Sequence, residues 1–547
     1  MARIFNVKPL MFLFLVIAFI GLLFTHANVA RAATLDTKIS LVEEQKKWTS
    51  PANKGDKNAQ FFLGYAYAFA HDRKVPDDDS NAVLWYGKAA VQGHTAAQYN
   101  LGNMFAEGRG VKQDFSKAAF WYLKAANKGN ADAQLNLGIM YSIGRGVPQN
   151  FADAISLLKK AAEQGNKLAD LNLGNAYVEG RIVSRDYLEA LAWFRKGADD
   201  GFAPAQFNLG LMFFEGQGVQ RNFAQAAEFF QKAADQGLPL AQYRLARMYA
   251  DGRGVQKDEK HAHSLYEKAA EQGHAGAQFF LGIDFFEGKV VQKDYSQAIF
   301  WYQKAVDQNH VIAQYNLALM YDEGIGVQRD YSQAAFLYRK AADLGYVLAQ
   351  LNLGNFYFFG KGVPQDFIEA GNFYRKAASQ GNMIAQYNLG VVYAGGKGVE
   401  KDESEAINWF QKSAAKGFPA AQYNLGVIYR DGIGVQRDQV RSVSWICKAA
   451  DKGNVDAQLS LAFNYLKGEG VPQNKVTAYA LFNVAANNNS TYAKTQRDLL
   501  ESTMSPQPII TATELSSILG VRGGVLAAIG QCHNAYSKPL EKNSLEN

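Results

Sequence analysis

Eight asparagines recur in one register of this chain: Asn100, Asn136, Asn172, Asn208, Asn316, Asn352, Asn388 and Asn424, separated by 36 residues or a multiple of 36. Each stands two residues after a Gln, or in one case after Asp170. A primary amide offers two N–H donors and a carbonyl acceptor, so a column of them suits the backbone of an extended peptide. The same groups also serve to tie one helix to its neighbour, and residue types alone leave both uses open. Arg244 and Phe280 break the column and make the middle of the chain unlike its ends. A second register, two residues after a Leu, changes type throughout: Asn103, Ile139, Asn175, Leu211, Arg247, Ile283, Leu319, Asn355, Val391, Val427 and Phe463. A packing position holds its type, so this variation points to exposure. Arg244, Arg247 and Phe280 are therefore candidate binding residues beside the asparagines. If exposed, Val391 and Val427 form an apolar patch; core packing of the same residues is the alternative.

Other chemistry is sparse. His261 and His263 flank Ala262, with Asp258, Glu259 and His274 nearby. Residues two apart on a helix do not face each other, and zinc ligands want convergent spacing such as i, i+4. A solvated helix surface is the better reading of that group. The chain contains no Gly-x-Ser-x-Gly, phosphate loop or His-Glu-x-x-His. Gly-x-Gly-Val, as at Gly108 to Val111, recurs along the whole chain with no strand before it, so it reads as a turn and not a nucleotide loop. No catalytic residue, metal ligand or cofactor is expected.

The elements that position these columns follow from one repeated unit. Around Gly102 the Leu-Gly pair sits on a helix A carrying Ala97, Leu101 and Phe105 on one face. Gly recurs at 138, 174, 210, 282, 354, 390 and 426, with Ala at 246, 318 and 462. A mid-helix Gly costs about 1 kcal/mol against Ala, so its retention implies a close neighbour. Gly108 and Gly110 end helix A in a tight loop. Asp114 opens helix B, and its counterparts, from Asn150 to Asn474, are all Asp or Asn, as an N-cap requires. Helix B ends near Gly129, a slot that holds Asn at 309 and 489. A fixed period of this length marks a repeat solenoid. The expected fold is all-α, about twelve helix-turn-helix units of 36 residues. Residues 33–56 are expected to form an N-terminal cap, 57–490 the array, 491–519 C-terminal cap helices and 520–547 a flexible tail.

Residues 1–32 read as a signal peptide or an uncleaved anchor: Arg3 and Lys8 precede an apolar stretch from Leu10 to Phe24, and Ala30-Arg31-Ala32 fits a small-x-small cleavage site. The expected location is exported, periplasmic or secreted, with membrane contact only if this segment is retained. Without it, 54 basic residues face 51 acidic ones, which is no nucleic-acid footprint. The two cysteines, Cys447 and Cys532, leave pairing open.

Ala-x-Ala-Gln-x-Asn-Leu-Gly-x-x-Tyr, Gly-x-Gly-Val, Asp, Ala, Trp-Tyr, Lys-Ala-Ala and Gly at a period of 36 resemble the Sel1-like repeat, a relative of the tetratricopeptide repeat. The resemblance covers roughly residues 50–490, and Arg497 to Leu500 with Met504-Ser505-Pro506 is similar to the family's bacterial closing cap. It implies a right-handed superhelical α-solenoid acting as an adaptor, in bacteria often exported and engaged in envelope assembly, regulation or host contact. A cysteine-rich branch linked to β-lactam chemistry places a disulfide in each repeat; the single repeat cysteine here does not fit it. The expected function is an exported, non-enzymatic scaffold binding a protein or extended peptide on its concave face. Two alternatives stand beside it. One is an envelope enzyme or carbohydrate-binding protein acting on peptidoglycan, for which converging carboxylates would speak. The other is a membrane-tethered regulator.

Overall fold

The computed structural model describes residues 41–68, 78–521 and 523–525. The expected signal segment and the tail from 526 onward, with Cys532, lie outside the described residues. Among the described residues all regular structure is helical, and no helix is long and apolar enough to cross a membrane. The chain divides into two compact units after Ala277, and each is a run of antiparallel helix pairs.

One pair shows how the sequence builds the rest. Helix A, Thr95–Glu107, stops at Gly108 with φ 72°, whose N–H bonds back to the Met104 carbonyl. Gly110, at φ 65°, lies against the Asp79 backbone, where any Cβ would collide. Helix B, Phe115–Ala126, begins where the Asp114 carboxylate accepts from the Lys117 N–H. Gly129 then adopts φ 86°, and at Asn309 and Asn489 φ stays positive, 60° and 68°. Those two asparagines show that the slot is chosen for its backbone conformation.

The core lies between the helices of each pair. Ala118, Tyr122 and Ala125 of helix B are completely buried in one cluster with Ala106 and Tyr99 of helix A. Fully burying a side chain of this size contributes about 1.5–3 kcal/mol. A Cβ at Gly102 would sit 2.7 Å from the Tyr122 ring. The close neighbour that keeps this position small is thus the ring of its own helix B.

The Ala-Gln motif joins consecutive pairs. The Gln98 Nε2 donates to the Ala90 carbonyl at 3.0 Å, satisfying an acceptor near the end of the preceding helix B. Gln134 and Gln350 likewise donate to the Ala126 and Ala342 carbonyls of the preceding repeat while their Oε1 atoms accept from Gln164 and Gln380 of their own repeat at 2.7 and 2.9 Å, so the buried glutamines bridge successive repeats.

At the N-terminal end of the first unit, the helix Leu41–Asn53 packs Trp48 onto the Phe62 ring, centroids 4.8 Å apart. At the C-terminal end of the second, Thr491–Glu501 and Pro506–Leu519 cover the last repeat helix, Lys475–Asn487. Leu500, Ala512 and Leu519 join Phe482 in one apolar cluster. Arg497 and Ser516 both bond to the Asn483 side chain at 2.9 Å. Cys447 is fully buried and is not a free thiol.

Candidate functional site

Helix A presents two adjoining columns in each unit. Every member of the variable register, from Asn103 to Phe463, is half-buried. The column is thus neither core nor free surface.

The asparagine register has a structural task at most of its positions. Helix B carries a buried tyrosine 14 residues before the Asn, as Tyr302 stands before Asn316. The Asn316 amide donates to the Tyr302 hydroxyl at 3.5 Å, and Asn100, Asn136, Asn352 and Asn388 stand near the phenols of Tyr86, Tyr122, Tyr338 and Tyr374, where their amides favour the ionised form. Burial pushes all five phenols above their usual range despite these amides. The variable column completes the network. Tyr122 donates to Asn103 Oδ1 at 2.6 Å and Tyr374 to Asn355 Oδ1 at 2.8 Å, while Asn388 Nδ2 reaches the same Asn355 oxygen at 3.2 Å.

Three asparagines follow a helix B with no hydroxyl in that place: Leu158, Phe194 and Phe410. Asn172 Nδ2 turns to the Leu168 carbonyl at 2.7 Å, and Asn208, itself buried, donates to Asn175 Oδ1 at 3.0 Å. Asn424 lines a cavity.

The exceptions to the register behave differently from one another. Arg244 is exposed. Arg247 is half-buried; burial opposes its charge, and Tyr243, Tyr266 and Asp251 outweigh that effect, with the Asp251 carboxylate 3.8 Å away. Phe280 is half-buried against the apolar cluster of the second unit. Asp170 is completely buried where other repeats place Gln. It has no amide to donate, and Lys196 Nζ compensates by reaching both its Oδ1, at 3.0 Å, and the Ala162 carbonyl. Burial raises the Asp170 carboxyl above its ordinary value, with Lys196 partly offsetting it.

The loop cations are engaged within the chain. Arg109 holds Asp79 at 2.7 Å, Lys361 pairs with Asp322 and lies over the Tyr331 ring, and Lys397 lies over the Phe358 and Phe367 rings at 4.8 and 5.4 Å. His261 packs edge-on to Tyr249, and His263 pairs with Glu267 at 3.4 Å. Among the described residues, no three His, Cys, Asp or Glu side chains gather to hold a metal.

The second unit contains a cavity of about 510 Å³ opening beside the variable column. Val391, Asn424 and Val427, each singled out by sequence, line it together with Ala394, Gly395, Glu403, Ile407, Phe410 and Ile433. The sequence reading missed Ala394, Gly395, Glu403 and Ile433. Only Gly395 stands out in the sequence, because the slot of Ala394 also holds Ala at 106 and 250 and that of Glu403 also holds Glu at 259.

The Sel1 repeat family model matches twelve consecutive segments, 57–94, 95–130, 131–166, 168–202, 203–238, 239–274, 275–310, 311–346, 347–382, 384–418, 419–454 and 455–490. Among solved structures, the chain is 34% identical to c5321, a protective antigen of uropathogenic Escherichia coli with an SLR fold, covering 92% of this chain and 99% of that one with a TM-score of 0.55. It is 36% identical to a Sel1 repeat protein from Oxalobacter formigenes, over 45% of this chain and 99% of that one, with a TM-score of 0.41. No curated protein matches it. Proteins of this repeat are generally protein-interaction scaffolds. Twelve matched units, eleven with a buried Gln and one with Asp170 in its place, put the chain in the Sel1 repeat family.

Proposed function

We propose that this chain is an exported, non-enzymatic scaffold that binds an extended segment of a protein partner along the open face of its A helices. The observation that carries this reading is the half-buried column from Asn103 to Phe463, which varies in type while the positions around it repeat. A column of uniform type packs; one that is solvent-accessible and different in each repeat reads a different ligand residue at each step. The asparagines contribute mainly by holding neighbouring tyrosines in place, so recognition falls to the variable side chains, with Arg247 as the charged contact. The basic, apolar N-terminal segment supports export, and the c5321 antigen of uropathogenic E. coli makes the bacterial surface or a host-cell protein a reasonable place to seek the partner.

A photo-crosslinking amino acid tests this. Placed at Asn175 or Leu319 on the column, and as controls at the exposed Phe120 or Phe336 on helix B, it is expected to capture a discrete partner from the column positions alone. Capture from helix B alone would refute the assignment of the face. Recovery of the protein from the envelope and medium, with sequencing of its mature N-terminus, tests export; a purely cytoplasmic chain retaining Met1 would overturn that part.

A further inference from the structure

The cavity beside Val391 and Val427 occupies a place that three other repeats fill with a pair of aromatic rings. In three repeats, an aromatic near the end of helix A meets one at the first position of helix B. The pairs are Phe214–Phe223, Phe286–Tyr295 and Phe358–Phe367, with centroids 5.1, 5.5 and 5.2 Å apart. The Gly-x-Gly loop of the following repeat then roofs the pair. Arg253 lies over the first pair, Lys397 over the third, and Ile325 packs into the cluster containing the second. In the cavity repeat both rings are missing, replaced by Ala394 and Glu403, and Gly395 removes a further side chain. The roof remains as Ile433, which is 41% exposed. What is left is an apolar space of about 510 Å³, within the size range of small-ligand sites, about 300–1,000 Å³.

We infer that this cavity is an anchor site for an aromatic side chain, Phe or Tyr, of the bound peptide. Three other repeats close this space around two rings, and the floor here keeps Phe410, buried in the register at which Phe230 and Tyr374 meet Phe214 and Phe358. Charge supports a neutral occupant. At the mouth Lys401 Nζ lies 2.7 Å from Glu403 Oε1, so this pair is already balanced and a charged guest would have to break it. Asn424 on the wall offers an amide to the guest's backbone or phenol, and Val391 and Val427 make the cavity continuous with the variable column. That the ring belongs to a peptide rests on the binding function proposed above.

The test uses the whole chain with isotope-labelled Ile and Val methyls and two probes, N-acetyl-L-tyrosinamide and N-acetyl-L-leucinamide. The tyrosine probe is expected to shift the Ile407, Ile433, Val391 and Val427 methyls and to bind at least about tenfold more tightly than the leucine probe. The variant Ala394→Phe/Glu403→Phe, which rebuilds the Phe358–Phe367 arrangement, is expected to abolish the shifts. Gly395→Glu, the residue found at 215 and 287, is expected to weaken them and serves if the double variant does not fold. Absence of shifts up to the probe's solubility limit, equal binding of both probes, or shifts that persist in the filled variants would overturn the anchor site. The two readings fail separately. Column crosslinks with no probe binding would refute the anchor and leave the scaffold; probe binding without any crosslinked protein would leave a ring site and refute the peptide scaffold.

Discussion

Acid should loosen the second unit at His310. This residue caps the helix Val311–Glu323: its Nδ1 accepts from the Ala313 N–H at 3.2 Å, and its ring stacks on Phe279 with centroids 4.6 Å apart. Acceptance requires the neutral imidazole, and burial lowers its pKa from 6.5 to about 4. The unfolded chain therefore binds a proton between those two values that the folded chain refuses, so stability is complete above pH 6.5 and is lost as the pH falls toward 4. One pH unit of difference corresponds to about 1.4 kcal/mol, so the full loss is about 3 kcal/mol, of which about 2 has accrued by pH 5. The control is His310→Asn, because Asn382 and Asn454 cap the corresponding helices of other repeats by the same bond. Hydrogen exchange of the Val311–Glu323 helix, compared at pH 7.5 and 5, reads the difference locally. After correction for intrinsic exchange, the wild type is expected to lose about thirtyfold more protection than the Asn variant, since all other histidines are common to the two proteins. Parallel pH dependence in the two proteins would refute the reasoning.

Four further outcomes follow from the geometry. Lys196→Met leaves the Asp170 carboxylate buried without its partner and is expected to cost about 3–5 kcal/mol in denaturant unfolding; adding Asp170→Gln, which restores the family's amide, should recover most of it. Asn388→Ala removes the donor to Asn355 and should cost about 1–3 kcal/mol, whereas Asn424→Ala, at the cavity wall, should change the unfolding midpoint little. Gly102→Ala places a methyl 2.7 Å from the Tyr122 ring and should lower stability by about 1–3 kcal/mol despite the better helix propensity of Ala; a rise in stability would show that the ring moves aside freely. Ala394→Phe/Glu403→Phe should raise the melting temperature by filling the cavity, measured without any ligand.

Much of the architecture is legible in the residues because each local choice repeats. Asp or Asn at every helix-B start and Gly or Asn at every helix-B end satisfy backbone groups that any helix leaves free, and these need no tertiary knowledge. The tyrosine partners of the asparagines were also within reach, since the two lie 14 residues apart in every repeat that pairs them. The loop cations were harder to read. Arg109, Lys361 and Lys397 look like surface charge until the fold sets them against Asp79, Asp322 and the Phe358 and Phe367 rings. Asp170 stood out as a substitution, but only the packed structure brings Lys196 to it across 26 residues.

The sequence by itself determined the period, the helix pairs, the caps and the two registers on helix A, because those depend on backbone hydrogen bonding and local steric limits. Tertiary structure alone decided which amides are already engaged and where space is left unfilled. Ala394 and Glu403 are unremarkable as letters; they become a cavity because the fold brings Asn424, Val427 and Ile433 of the following repeat over a place where rings pack elsewhere. Occupancy is a property of close packing between repeats, and no single repeat contains it.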